Sequence, residues 1–108
     1  MRNIVDIKKV DASQIRDLRY KVLWPHLEGP DACQIAPDSA DSTFHMAAIA
    51  DGKVVGTATL IVDINPRFTE KNQYRLRAMA TDPEMRGYGV GAQLVVKAIE
   101  ELKKKYTY

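Results

Sequence analysis

Residues 86–91 read Arg-Gly-Tyr-Gly-Val-Gly, which puts three glycines in five positions. Each glycine costs about 0.5–1 kcal/mol relative to alanine inside a regular element. What glycine alone offers is unusual φ and close approach to the backbone. The segment lies between an expected strand ending near Thr81 and an expected helix starting near Gly89. A glycine loop at a helix start aims several N–H groups at one point, and the helix dipole adds positive potential there. That chemistry suits an anion, best a phosphate or pyrophosphate, and Arg86 adds a fixed positive charge. The following residues, Gly-Val-Gly-Ala-Gln-Leu-Val-Val, bring no carboxylate before Glu100 to compete with a bound anion. On glycine spacing alone, a turn that merely lets strand and helix pack closely remains the alternative.

Two familiar phosphate loops fail on detail. There is no Gly-Lys-Ser/Thr, so this is not a triphosphate P-loop. A dinucleotide fold places its glycines at the first strand–helix turn, whereas here they come late in the chain.

The elements that must position this loop are legible around it. Residues 2–10 read as a strand carrying Ile4, Val5, Ile7 and Val10. A helix is expected from Asp11, with Asp11 and Gln14 as a capping box and Ile15, Leu18 and Val22 on one face. Pro25 stops it. Residues 26–42 are irregular, broken by Gly29, Pro30 and Pro37, with a short helix possible around Asp31 to Ile35. Asp51-Gly52 between two apolar runs predicts a hairpin. A further strand is expected over 74–81, with Tyr74, Leu76, Ala78 and Ala80 on one face and Arg75, Arg77, Met79 and Thr81 on the other. A long helix to about Lys105 follows. Its apolar stripe is expected to hold Leu94, Val95, Ala98, Ile99 and Leu102, with i,i+4 pairs Glu100–Lys104 and Glu101–Lys105.

The arrangement resembles the GNAT superfamily of acyl-CoA-dependent N-acetyltransferases. The matching signature is Arg/Gln-x-x-Gly-x-Gly/Ala, here Arg86 to Gly91, preceded by the strand-end phrase Met79-Ala80-Thr81-Asp82-Pro83-Glu84. The resemblance implies an α/β (α+β) fold with a mixed, mostly antiparallel sheet flanked by helices, and transfer of an acetyl group from acetyl-CoA to an amine. It implies that backbone groups at Met79, Ala80 and Thr81 hold the pantetheine arm. Backbone N–H groups at Arg86, Gly87, Tyr88, Gly89, Val90 and Gly91 would hold the pyrophosphate. The family's fold continues beyond the point reached at Tyr108, so the resemblance also implies a C-terminally truncated fold. The missing part usually supplies the tyrosine that protonates the thiolate, and much of the acceptor pocket. The catalytic acid and base are therefore unassigned. The rival expectation is a truncated or degenerate acyl-CoA-binding remnant without activity. A weaker one is a general binder of small phosphates.

Outside the motif the residues read more plainly. His45 is expected to be an ordinary strand histidine with a hydrogen-bond partner, with a place in the acceptor cleft as the alternative. Cys33 is expected to be unreactive, since no base is spaced to activate it. Arg75 and Arg77 are expected to form ion pairs with Glu84, Asp82 or Asp63 rather than to bind a ligand. Trp24 is expected to pack at a helix end. Two histidines and one cysteine offer no metal-ligand cluster.

At 108 residues the chain is expected to be a single domain, 1–108. Apolar residues are 45% and charged residues 28%, and the formal net charge is +2. Neither a nucleic-acid partner nor a membrane surface is expected from so small a charge. The lone cysteine and the absence of a signal-peptide pattern point to the cytoplasm. The expected partners are a small-molecule or peptide amine and, because residues 74–81 would present an unpaired edge, a second copy of the chain in a homodimer or larger assembly.

Overall fold

The computed structural model describes residues 5–69 and 73–105. Its elements run β1 (Asp6–Val10), α1 (Arg16–Val22), β2 (Phe44–Ala50), β3 (Lys53–Val62), β4 (Tyr74–Thr81) and α2 (Val90–Lys105). The strands form one sheet in the order β1-β2-β3-β4, and every neighbouring pair is antiparallel. The expected start of β1 at residue 2 and its Ile4 lie outside the described residues.

The β2–β3 hairpin forms where Asp51-Gly52 predicts it. Both turn residues have positive φ, 51° and 76°, the requirement that favours this dipeptide in a two-residue hairpin loop. The helix expected from Asp11 begins as a 3-10 turn over Ala12–Gln14 before α1. The Asp11 N–H donates to Gln14 Oε1 at 2.9 Å, which is the reciprocal half of a capping box. In the irregular segment the single short helix is replaced by two 3-10 turns, Pro30–Ala32 and Ala36–Ser39.

The sheet buries both faces. Phe44, Met46, Ala48 and Leu60 pack against Val90, Leu94 and Ala98 of α2. On the opposite face, Ala47, Thr57, Thr59 and Ile61 are covered from the side of α1, whose Leu18 and Arg19 are buried. The stripe on α2 is narrower than expected, because the row Val90, Leu94, Ala98 points at the sheet. Val95 and Ile99 stand about 100° further round the helix and are exposed. The expected Glu100–Lys104 pair is replaced, since Glu100 pairs with Lys97 at 3.7 Å and Lys104 with Glu101, while the side chain of Lys105, the expected partner of Glu101, lies outside the described residues. Glu101 reaches Lys104 at 3.5 Å and Lys9 at 3.9 Å.

A further correction falls on β4. Strict alternation fails because the β3–β4 register slips between Thr57 and Thr59: Thr57 opposes Ala80 while Thr59 opposes Arg77. The extra residue is absorbed at Ala78, whose φ is +52°. This β-bulge turns Met79 from the arginine face onto the core face, where it packs with Tyr74 and Leu76 against the α2 side.

Candidate acyl-CoA site

The bulged end of β4 and the glycine loop meet in one groove of about 540 Å³. It is lined by Met79, Ala80, Thr81, Met85, Arg86, Gly87, Gly89, Val90 and Gly91, and also by Val22 at the end of α1 and Leu23 just after it. Eight of the nine residues singled out in the sequence thus converge. Tyr88 does not line the groove, and its side chain is exposed. Val22 and Leu23 are the residues that sequence reading missed. They read as ordinary apolar positions at a helix end, and only the packing of α1 beside β4 brings them here.

The loop's backbone is built for approach from outside. Gly87 and Gly89 have φ of +90° and +75°, and a Cβ placed on either would meet nothing within 4 Å. The Arg86 and Tyr88 N–H groups are spent on the carbonyls of Pro83 and Met85, at 3.4 and 3.3 Å. No such loop bond engages the N–H groups of Gly87, Gly89, Val90 or Gly91. The first turn of α2 has no acidic residue, so the helix dipole there is not answered from within. Among the lining residues, Arg86 carries the one ionisable side chain.

The loop is held from below. The Asp82 N–H donates to the Val55 carbonyl at 2.8 Å. The Asp82 carboxylate accepts from the Glu84 N–H and from Lys21 Nζ, each at 3.0 Å. The Glu84 N–H and the Lys21 ammonium hold this carboxyl below its ordinary pKa. At the other end of the loop, Val90 packs on Gly56. A Cβ there would lie 2.6 Å from Val90 Cγ1 and 3.1 Å from Leu94 Cδ1.

On the α1 face of the sheet lies a buried polar cluster. Arg19 donates to both carboxylate oxygens of Asp38, at 2.6 and 3.0 Å, to Thr59 Oγ1 at 2.7 Å and to the Cys33 carbonyl at 3.1 Å. His45 Nδ1 lies 2.8 Å from Thr59 Oγ1, and its Nε2 is 4.0 Å from Asp38 Oδ1. Burial pushes His45 below its ordinary pKa, and the Asp38 charge opposes this only in part. For Asp38 burial acts upward, but the Arg19 and Ile35 hydrogen bonds and the Arg19 charge prevail, and its pKa falls. His45 thus stands on β2 with the hydrogen-bond partner expected of it, Thr59. Cys33 is fully buried and donates to the Gly29 carbonyl at 3.6 Å. Burial raises its thiol pKa against the pull of Arg19. Arg75 pairs with Asp63 at 3.1 Å, as expected, while Arg77 is exposed. Trp24 lies 5.9 Å from the Arg19 guanidinium, ring centroid to carbon, at the end of α1. No cluster of metal-ligating side chains occurs among the described residues.

The fold agrees with what comparison with known proteins finds. The profile of the acetyltransferase (GNAT) family matches residues 9–108, and the chain belongs to that family. It is 28% identical over 99 residues to YitI, an uncharacterized N-acetyltransferase of Bacillus subtilis (strain 168), covering 92% of this chain and 66% of that protein. The chain thus spans slightly less than two thirds of that relative. Among solved structures, the aminoglycoside N-acetyltransferase AAC(6')-Iy in complex with CoA superposes with a TM-score of 0.77 at 24% identity, covering 97% of this chain and 73% of that one. A GNAT family acetyltransferase from Brucella melitensis in complex with acetyl-CoA superposes with a TM-score of 0.73 at 21% identity, covering 96% and 71%. No helix among the described residues is long and apolar enough to cross a membrane.

Proposed function

We propose that residues 1–108 form a single N-acetyltransferase domain that moves an acetyl group from acetyl-CoA to an amine of a small molecule or peptide, in the cytoplasm. The observation that carries this reading is the convergence of Met79–Thr81 and the Gly87–Gly91 backbone on one groove. The pantetheine arm lies along Met79, Ala80 and Thr81 as an added strand. The pyrophosphate sits on the open N–H groups of Gly87, Gly89, Val90 and Gly91, with Arg86 supplying charge. The acceptor amine, in its neutral form, enters past Val22 and Leu23 and attacks the thioester carbonyl. The carbon–sulfur bond breaks, CoA leaves as a thiolate that takes up a proton, and the new amide sheds the amine's proton. A backbone N–H near Met79 and Ala80 meets the developing oxyanion.

A second reading, CoA binding without turnover, is favoured by the lining itself, which among the described residues holds no carboxyl, imidazole, thiol or phenol. Losing one general acid or base typically costs about 10²–10⁴-fold in rate. Calorimetric titration with CoA, against dephosphorylated pantetheine as the control, tests the site: CoA binds and pantetheine binds far more weakly. Thiol release from acetyl-CoA with a panel of primary amines, polyamines and amino acids separates the two readings. Turnover of about 1 s⁻¹ or faster supports the full enzyme, and silence with intact CoA binding supports the second reading. Because β4 pairs only with β3 among the described residues, self-association through this edge belongs to the same proposal. A sedimentation profile of a clean monomer overturns that part of it.

A further inference from the structure

The Asp82 carboxylate divides its two oxygens between two elements. Oδ1 accepts from the Glu84 N–H, inside the turn that begins the glycine loop. Oδ2 accepts from Lys21 of α1. The carboxylate is almost fully buried, and its backbone N–H is fixed on β3 through the Val55 carbonyl. Lys21 immediately precedes Val22 and Leu23, the two residues that form the α1 wall of the groove. The Leu23 and Trp24 N–H groups that close this helix end both donate to the Arg19 carbonyl, at 2.8 and 3.0 Å.

We propose that Asp82 is a positioning residue that joins the cofactor loop to the α1 wall, so that an occupied loop steadies Val22 and Leu23 through Lys21. The inference rests on the groove being the CoA site. The loop cannot shift without moving Oδ1, and the two oxygens of one carboxylate move as a rigid unit. A ligand that fixes the loop therefore fixes the position Lys21 must reach. The link runs through a hydrogen-bonded ion pair with one buried and one half-exposed partner, so its strength is modest. A pair of this kind changes an equilibrium by about fivefold at most.

The test uses the 108-residue chain with CoA as the probe, read by calorimetry and by amide hydrogen exchange at Leu23 and Trp24. In the parent chain CoA slows exchange at both amides. Lys21→Met removes the link without touching the loop. It should bind CoA within about fivefold of the parent yet lose the CoA-dependent slowing. Asp82→Asn keeps an oxygen for the Glu84 N–H and should behave alike. Lys53→Met serves as the control, since Lys53 borders the same hollow as Asp82 and Lys21 but is not hydrogen-bonded to the carboxylate. It should retain the response. If the parent binds CoA and Lys21→Met keeps the full slowing, or Lys53→Met loses it equally, the inference is overturned alone. If the parent binds no CoA, the reading of the groove falls and this inference with it.

Discussion

Arg19 and Asp38 form a two-pronged ion pair, at 2.6 and 3.0 Å, whose side chains are 0% and 7% exposed. It ties α1 to the segment between α1 and β2, where no sheet or long helix supplies backbone order. Removing one partner leaves a buried charge alone, which costs about 3–5 kcal/mol. Arg19→Met should therefore lower the denaturant midpoint sharply. Arg19→Lys should rescue little of it, because an ammonium cannot reproduce the planar fork. Equilibrium unfolding in urea measures both.

His45, Asp38 and Asp82 set an acid limit in two stages. A histidine whose folded pKa is depressed stabilises fully above its unfolded value, about 6.5. That contribution is lost as pH falls from there toward the folded pKa. The two depressed carboxyls contribute fully above about 3.8–3.9, and their share is lost as pH falls below that. The midpoint of thermal unfolding should thus decline first as pH falls below about 6.5 and again in stronger acid. His45→Gln should remove the first decline and leave the second.

At the glycine loop, Gly89→Asp should abolish CoA binding. The position has φ of +75°, and the new carboxylate would stand where the proposed anion lies. Arg86→Ala should weaken binding less, since most of the donors are main-chain. Calorimetry with CoA ranks the two, and a Gly89→Asp chain that binds as tightly as the parent would show that the loop is not the site.

Gly56→Ala tests the close crossing of α2 over β3. The added methyl would press on Val90 Cγ1 at 2.6 Å, and Val90 is the first residue of α2. Overpacking of this kind costs about 1–3 kcal/mol. The helix start should shift with it, so stability and CoA affinity should fall together.

Cys33 should resist a thiol reagent such as Ellman's reagent in the native protein and react once urea unfolds the chain. It is fully buried, and burial disfavours its thiolate. Prompt reaction of the native protein would contradict this.

The sequence made local features plain and long-range ones obscure. The Asp51-Gly52 hairpin and the glycine loop are written in residue types whose backbone preferences need no partner. The bulge at Ala78 is not, because alanine carries no preference for positive φ and the slip arises only from pairing with β3. Arg19 was invisible for a similar reason. It sits within a helical pattern as one more cation, and its burial depends on Asp38 and Thr59, which lie 19 and 40 residues away. Val22 and Leu23 entered the groove only through the placement of α1 against β4.

Asp82 and Val90, the two ends of the glycine loop, rest on consecutive residues of one strand, Val55 and Gly56. Fixing a residue's backbone costs roughly 1–2 kcal/mol of conformational entropy. For a segment anchored at both ends, much of that cost is met during folding rather than at the moment of ligand capture. Its free N–H groups would thus be preorganised for the proposed anion, which should spare affinity the usual penalty of ordering a loose segment. Slackening either anchor should show chiefly as a less favourable binding entropy, with the enthalpy of the anion contacts largely kept.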